Sequence, residues 1–337
     1  MNGDLLPHSG ALSNWNFGEW NQHAPCSNPK MHSKWDCNSS TQTFASGSRD
    51  IDNILILGCG YVGEKLAQAC LADGIRVIGT TRSNDRVIQL KEQGIEAMLA
   101  TSPKELPREL LASVDAVLDS IPLTRDEQGM HASQMQWLPE LAAKLSAVRW
   151  AGYLSTTGVY GDAEGAWVDE SYPCRPSSGR GSERLKAEQA LLQSGLPAEI
   201  FRLAGIYGPE RNILGRLRAG GYQTVQWQPS HFSSRIHVDD IVAALMAAMQ
   251  KPKAGRIVNL ADDLPLPHAD YVTELAQLIG AQAPDILSET EGEVLLPAAA
   301  LDFFRDNKRV SNSLLHQELL PELKFPDFRA GLESLVE

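Results

Sequence analysis

Residues 54–65 read "ILILGCGYVGEK", and the reading of this stretch decides the fold. The apolar run 54–57 is strand-like and ends in Gly58-x-Gly60-x-x-Gly63. "EKLAQACLADG" follows with helical spacing of its apolar residues and Gly74 placed to stop it, and "RVIGTTR" reads as a second strand. A strand before the glycines and a helix after them is the setting in which this spacing binds a dinucleotide. Gly58 suits a tight turn, Gly60 lets the backbone approach a pyrophosphate, and Gly63 lets the helix pack on the strand, with Tyr61 and Val62 completing the loop. The N–H groups that open the helix then face the phosphates.

The alternation runs on through "AVLDSIP", a helix over 133–146, "WAGYLSTT", a helix over 182–194 and "AEIFRLAGIYG". Strands and helices of these lengths predict an α/β fold with a doubly wound parallel sheet. Residues 51–337 are expected to form a single dinucleotide-binding domain, its smaller C-terminal substrate lobe drawn mainly from residue 207 onward. Residues 1–50 mix Asn, Ser, Gly, Pro and Trp without a helical or strand period, and a disordered leader is expected there. A translation start at Met31 is the other reading of that segment.

The 337 residues carry 42 acidic against 30 basic side chains, a net charge of −12 that repels phosphate backbones and argues against nucleic acid as a partner. The apolar run 241–249 is far short of the roughly 20 residues of a membrane span. No basic and then apolar signal opens the chain, and the five cysteines form no CxxC pair, so a reducing, cytoplasmic setting is expected. His23, Cys26, His32 and Cys37 lack the close ligand pairs of a zinc site, and no metal is predicted.

The second strand ends in "GTTRSNDR", with no acid before Asp85 to meet a ribose 2′-hydroxyl. Thr81, Arg82 and Ser83 stand there instead, and a guanidinium takes a 2′-phosphate bidentately. NADP is therefore predicted over NAD.

Four later segments carry a family resemblance: "YLSTTGVYGD" (153–162), "DESYPCRP" (169–176), "FRLAGIYGPER" (201–211) and "RIHVDDIVAALMAAM" (235–249). In this order they resemble the extended short-chain dehydrogenases/reductases, the sugar-nucleotide epimerases and dehydratases of Rossmann fold. The resemblance implies hydride transfer at a nicotinamide, a tyrosine phenol as acid/base, a lysine that lowers its pKa, and a Ser/Thr hydroxyl that orients the substrate oxygen. Thr156 matches that hydroxyl. Matching Gly181 and Glu188 of "GRGSERLKAEQALL" to the family helix puts Arg180 at the tyrosine and Arg184 at the lysine. An arginine stays protonated, so neither can cycle a proton as a phenol does. They would hold cofactor ribose or a substrate anion, or form a basic helix face with Lys186. Tyr61 is the one tyrosine with lysine four residues on, Lys65, and it belongs to the phosphate loop.

The chain is thus similar to the atypical members of the family that lack much of the catalytic tetrad. Arg211 and Arg235 match motifs that border the substrate cleft and would grip an anionic group such as a diphosphate; the other reading of Arg235 is an ion pair with Asp239 or Asp240. Asp239 is expected to cap a helix, His237 to pack, and Tyr160 and Asp162 are candidate substitute acids. The function expected is an NADP-dependent epimerase, dehydratase or oxidoreductase acting on a small molecule such as a nucleotide sugar. The alternative is a non-catalytic NADP-binding regulator or scaffold. A homodimer is implied by the resemblance alone.

Overall fold

The computed structural model describes residues 51–127 and 129–335. The expected leader, and with it His23, Cys26, His32 and Cys37, lies outside the described residues. Seven strands form one sheet: β1 (Asn53–Leu57), β2 (Arg76–Thr81), β3 (Glu96–Leu99), β4 (Ala116–Asp119), β5 (Trp150–Thr156), β6 (Ala198–Leu203) and β7 (Ile257–Leu260). All pairings are parallel and the order is β3-β2-β1-β4-β5-β6-β7, the doubly wound sheet that the alternation predicts. Successive residues of β1 serve opposite faces. Ile54 and Ile56 pack with Leu66 and Ala67 of α1 (Tyr61–Ala72) and Leu245 of a long C-terminal helix (Val238–Gln250). Leu55 and Leu57 pack with Leu138 and Leu141 of a helix Gln134–Lys144, and with Leu191 of a helix Gly179–Leu192.

In chain order after α1 these helices are α2 (Asn84–Glu92), α3 (Gln134–Lys144), α4 (Gly179–Leu192) and α5 (Val238–Gln250). α4 begins three residues before the expected 182, with Ser178 as cap, its Oγ accepting from Gly181 N at 3.2 Å. Gly179 and Gly181 lie inside the helix, Gly181 for a tertiary reason. A Cβ on Gly181 would sit 2.6 Å from the Gly158 carbonyl oxygen, so glycine permits α4 to approach the end of β5.

The expected strand "AEIFRLAGIYG" divides in two. Ala198–Leu203 stays in the sheet, and Gly205–Tyr207 leaves it to pair in parallel with Arg235–His237. Tyr207, Leu217, Tyr271, Val272, Leu275 and Phe328 pack into a separate apolar cluster beyond that point. Among the described residues no helix is long and apolar enough to cross a membrane.

A buried polar network ties α4 to three strands. Arg202 of β6 pairs with Glu188 of α4 at 2.8 Å, their side chains 4% and 2% exposed. Ser155 of β5 donates to Glu188 at 2.5 Å, Arg202 donates to the Tyr160 hydroxyl at 3.0 Å, and that hydroxyl donates to Asn259 of β7 at 2.7 Å. Breaking such a pair from one side strands a buried charge. Glu188→Ala is expected to cost about 3–5 kcal/mol in urea unfolding, and Glu188→Leu combined with Arg202→Met much less. A loss below about 1 kcal/mol for Glu188→Ala, the range of a surface pair, would show that the network does not hold the helix.

Candidate functional site

The first half of the site is the turn after β1. Gly58 takes φ +74°, its N–H donating to Thr80 Oγ1 at 2.9 Å, and Cys59 N donates to the Thr80 carbonyl at 2.7 Å. The loop is thereby held against the end of β2. A Cβ on Gly63 would lie 2.9 Å from Ile56 Cγ2, which is the close helix-to-strand packing expected of that position. Among the described residues no side chain caps α1 at Gly60, so its first N–H groups are left without a side-chain acceptor there.

A cavity of about 370 Å³ opens there, lined by Gly58, Gly60, Thr81, Arg82, Arg86 and Ser102. It lies beyond the C-terminal ends of the strands next to β1 and β4, where the strand order reverses, which is where ligands bind in open sheets of this kind. Arg82 is exposed and makes no hydrogen bond or ion pair among the described residues. Ser83 is turned to another use: its hydroxyl caps α2 by accepting from Arg86 N at 3.4 Å. Val62 is buried, so Val62 and Gly63 have only backbone N–H groups to offer. Tyr61 donates its hydroxyl to the Pro209 carbonyl at 2.7 Å, and burial pushes its pKa up to about 12. It is a tie to the lobe, and Lys65 makes no hydrogen bond with it.

The second half lies at the end of β5. Thr156 is half-buried, and its Oγ1 accepts from Gly158 N at 3.2 Å, leaving the hydroxyl hydrogen to donate elsewhere. Arg184 reaches the same end of the sheet: its Nη1 donates to Tyr153 Oη at 2.9 Å, the Leu154 carbonyl at 3.2 Å and the Ile121 carbonyl at 3.3 Å. Arg180, one turn earlier on α4, is exposed and unbonded among the described residues, so it does not join Arg184. Lys186 faces outward to Glu183 at 2.5 Å.

Asp119 is the residue that the sequence reading missed. It ends β4, is buried, and accepts from Gln134 Nε2 at 2.8 Å and Ile121 N at 3.0 Å. Burial pushes its pKa up to about 6, against the pull of these hydrogen bonds and of Arg184. The signal was an acid closing an otherwise apolar strand, "AVLD".

The remaining candidates separate. Arg235 is buried with its guanidinium 3.5 Å from the Tyr271 ring centre, and it donates to Ser233 Oγ at 2.8 Å. The ion pair with Asp239 or Asp240 is not formed: Asp239 pairs with Lys324 at 3.0 Å, and Asp240 accepts from the backbone N–H groups of Lys324 and Phe325. Arg211 is exposed over the Tyr61 ring at 5.8 Å. The cap of α5 is not Asp239 but His237, whose Nδ1 accepts from Asp239 N at 3.1 Å while Nε2 meets Ser334 Oγ at 2.9 Å. Tyr160 is fully buried in the Arg202 network and is not open to serve as a substitute acid, while Asp162 is exposed and accepts at one oxygen, Oδ1, from Glu164 N and Asn307 N. Among the described residues no group of three or more His, Cys, Asp or Glu side chains is arranged to hold a metal ion.

Comparison with known proteins gives a concordant picture. The model of a family described as "NAD dependent epimerase/dehydratase family" matches residues 54–261. Protein YeeZ of Escherichia coli (strain K12) is 29% identical over 288 residues, 81% of this chain and 96% of that protein. The 4-hydroxy-2-methyl-3-oxo-4-farnesyl-3,4-dihydroquinoline-1-oxide ketoreductase of Stigmatella aurantiaca is 26% identical over 243 residues, 67% of this chain and 72% of that protein. A solved structure of a functionally unknown conserved protein from Silicibacter pomeroyi DSS is 37% identical, covering 84% of this chain and 98% of its own, with a TM-score of 0.76.

Burial pulls the His237 pKa down to about 4, below the unfolded value of about 6.5. Below about pH 6.5 the unfolded chain takes up a proton that the native ring refuses, so this stability is present above pH 6.5 and is lost as pH falls toward 4. His237→Asn, which keeps an acceptor for the cap, is expected to lose about 2 kcal/mol less than the parent between pH 7 and pH 5 in chemical denaturation. Equal losses in both proteins would refute the assignment.

Proposed function

The chain belongs to the NAD dependent epimerase/dehydratase family, and from that membership we propose that it is an enzyme using a nicotinamide dinucleotide, NADP in preference to NAD, on a small polar carbonyl or alcohol such as a nucleotide sugar. The observation that carries this reading is one cavity joining the glycine turn to Arg82, which has no partner among the described residues, with no acid on the end of β2. The residues present fit the cofactor. The uncapped start of α1 offers N–H groups to a pyrophosphate, and Arg82 with Thr81 offers a cation and a hydroxyl to a 2′-phosphate.

A bound nicotinamide supplies a hydride donor or acceptor; the chain supplies orientation and proton handling. Thr156 donates its free hydroxyl hydrogen to the substrate oxygen. Arg184, held by Tyr153 and two carbonyls, places a fixed positive charge at that end of the sheet and favours negative charge developing on the same oxygen. Since a guanidinium does not release its proton, water held by Thr156 moves the proton in place of the missing phenol. Arg180 and Arg211, both exposed, are assigned to anionic parts of the substrate, while Arg235, buried against Tyr271, is left a packing role.

NADPH is expected to bind more tightly than NADH in fluorescence titration, and Arg82→Ala to weaken NADPH by about tenfold with little change for NADH. Tighter NADH binding by the parent would end the NADP assignment. Thr156→Val is expected to lower turnover about 10²-fold or more at unchanged NADPH affinity, read by product NMR so that an epimerisation without net reduction is seen. Cofactor binding with no product from nucleotide sugars, aldehydes or ketones would favour the regulator or scaffold.

A further inference from the structure

The cavity beside the glycine turn holds a second arginine that the end of β2 did not advertise. Arg86, in the first turn of α2, lines the same space as Arg82. Its guanidinium is engaged elsewhere: Nη2 lies 2.6 Å from Glu64 Oε2, and Nη1 donates to Gln89 Oε1 at 2.8 Å. Glu64 comes from the first turn of α1, immediately after the glycine motif, and its other oxygen accepts from Gln93 at 2.6 Å. The acid missing from β2 is therefore brought to the neighbourhood by α1, and an arginine neutralises it there.

We propose that the Arg86–Glu64 pair reads the ribose 2′ position: a 2′-phosphate draws Arg86 from Glu64 to join Arg82, and a 2′-hydroxyl leaves the pair closed. This rests on the assignment of the Arg82 cavity to the 2′-phosphate. Both side chains keep contact with water, 36% and 24% exposed, so the pair is of the weakly held kind. A phosphate offers the guanidinium two parallel charge-assisted hydrogen bonds in the same fork geometry. The exchange needs only side-chain rotation, because the Arg86 backbone stays fixed by the Ser83 cap. Glu64 then acts as a competitor, making the protein less avid for a 2′-phosphate than two arginines alone would be.

The test is a set of fluorescence titrations of the full-length protein with NADPH and with NADH, for the parent, Arg86→Gln and Glu64→Gln. Arg86→Gln is expected to weaken NADPH about tenfold and to leave NADH within about twofold. Glu64→Gln is expected to tighten NADPH about threefold, again with NADH little changed, since it frees the arginine without touching the phosphate site. A parent that prefers NADPH, with Arg86→Gln losing nothing or losing both cofactors equally, would overturn this inference and leave the NADP assignment standing. Should Arg86→Gln fail to fold, unchanged or weaker NADPH binding by Glu64→Gln would overturn it alone. A parent that prefers NADH, or that binds neither cofactor, would overturn the assignment and this inference together.

Discussion

The buried pair of Arg202 and Glu188 is the constraint from which the site geometry follows. A charge pair shielded from water is tolerated only in one well-bonded arrangement, and here that arrangement takes a side chain from α4 and from each of β5, β6 and β7. It therefore fixes the rotation of α4 about its own axis. Residues four and eight positions before Glu188 share its stripe of the helix. Arg184, one turn earlier, is consequently aimed at the strand ends, where it finds Tyr153, Leu154 and Ile121. Arg180, a further turn out, meets solvent.

This rotation also fixes the surroundings of Arg184. At Arg184 a single guanidinium nitrogen, Nη1, faces two carbonyls and a phenol oxygen, so its two hydrogens are shared among three acceptors. The consequence for chemistry is a permanent positive charge beside Asp119, a buried carboxyl whose proton is loosened by that charge and retained by its burial.

What could be read along the chain was what depends on near neighbours. The glycine turn, the alternation of strands and helices and the absence of an acid on β2 are properties of contiguous residues, and each reappears in space. What could not be read depends on approach across the fold. The start of α4 is set by the Gly158 carbonyl lying against Gly181. Asp239 was free to cap α5 until Lys324, 85 residues further on, came to meet it, and His237 took the cap. Glu64 and Arg86 are 22 residues apart on different helices, so inspection of β2 alone gave half of the cavity's charge. Asp119 was visible as a letter, but its significance lies in burial, which no window of sequence reports.

The order of the sheet has a bearing on how the chain comes to exist. Its central strand, β1, is made early, yet it acquires its second neighbour only when residues 116–119 are available, and β6 waits for residues 257–260. The loop after β5 waits longer still, since Asp162 is tied to the Asn307 backbone, 145 residues away. Parallel pairings this distant give a high contact order and a slow, late closure. A nascent chain thus carries the glycine turn and every residue that lines its cavity, Gly58 to Trp137, well before it carries β6 and β7, which close the far side of the sheet.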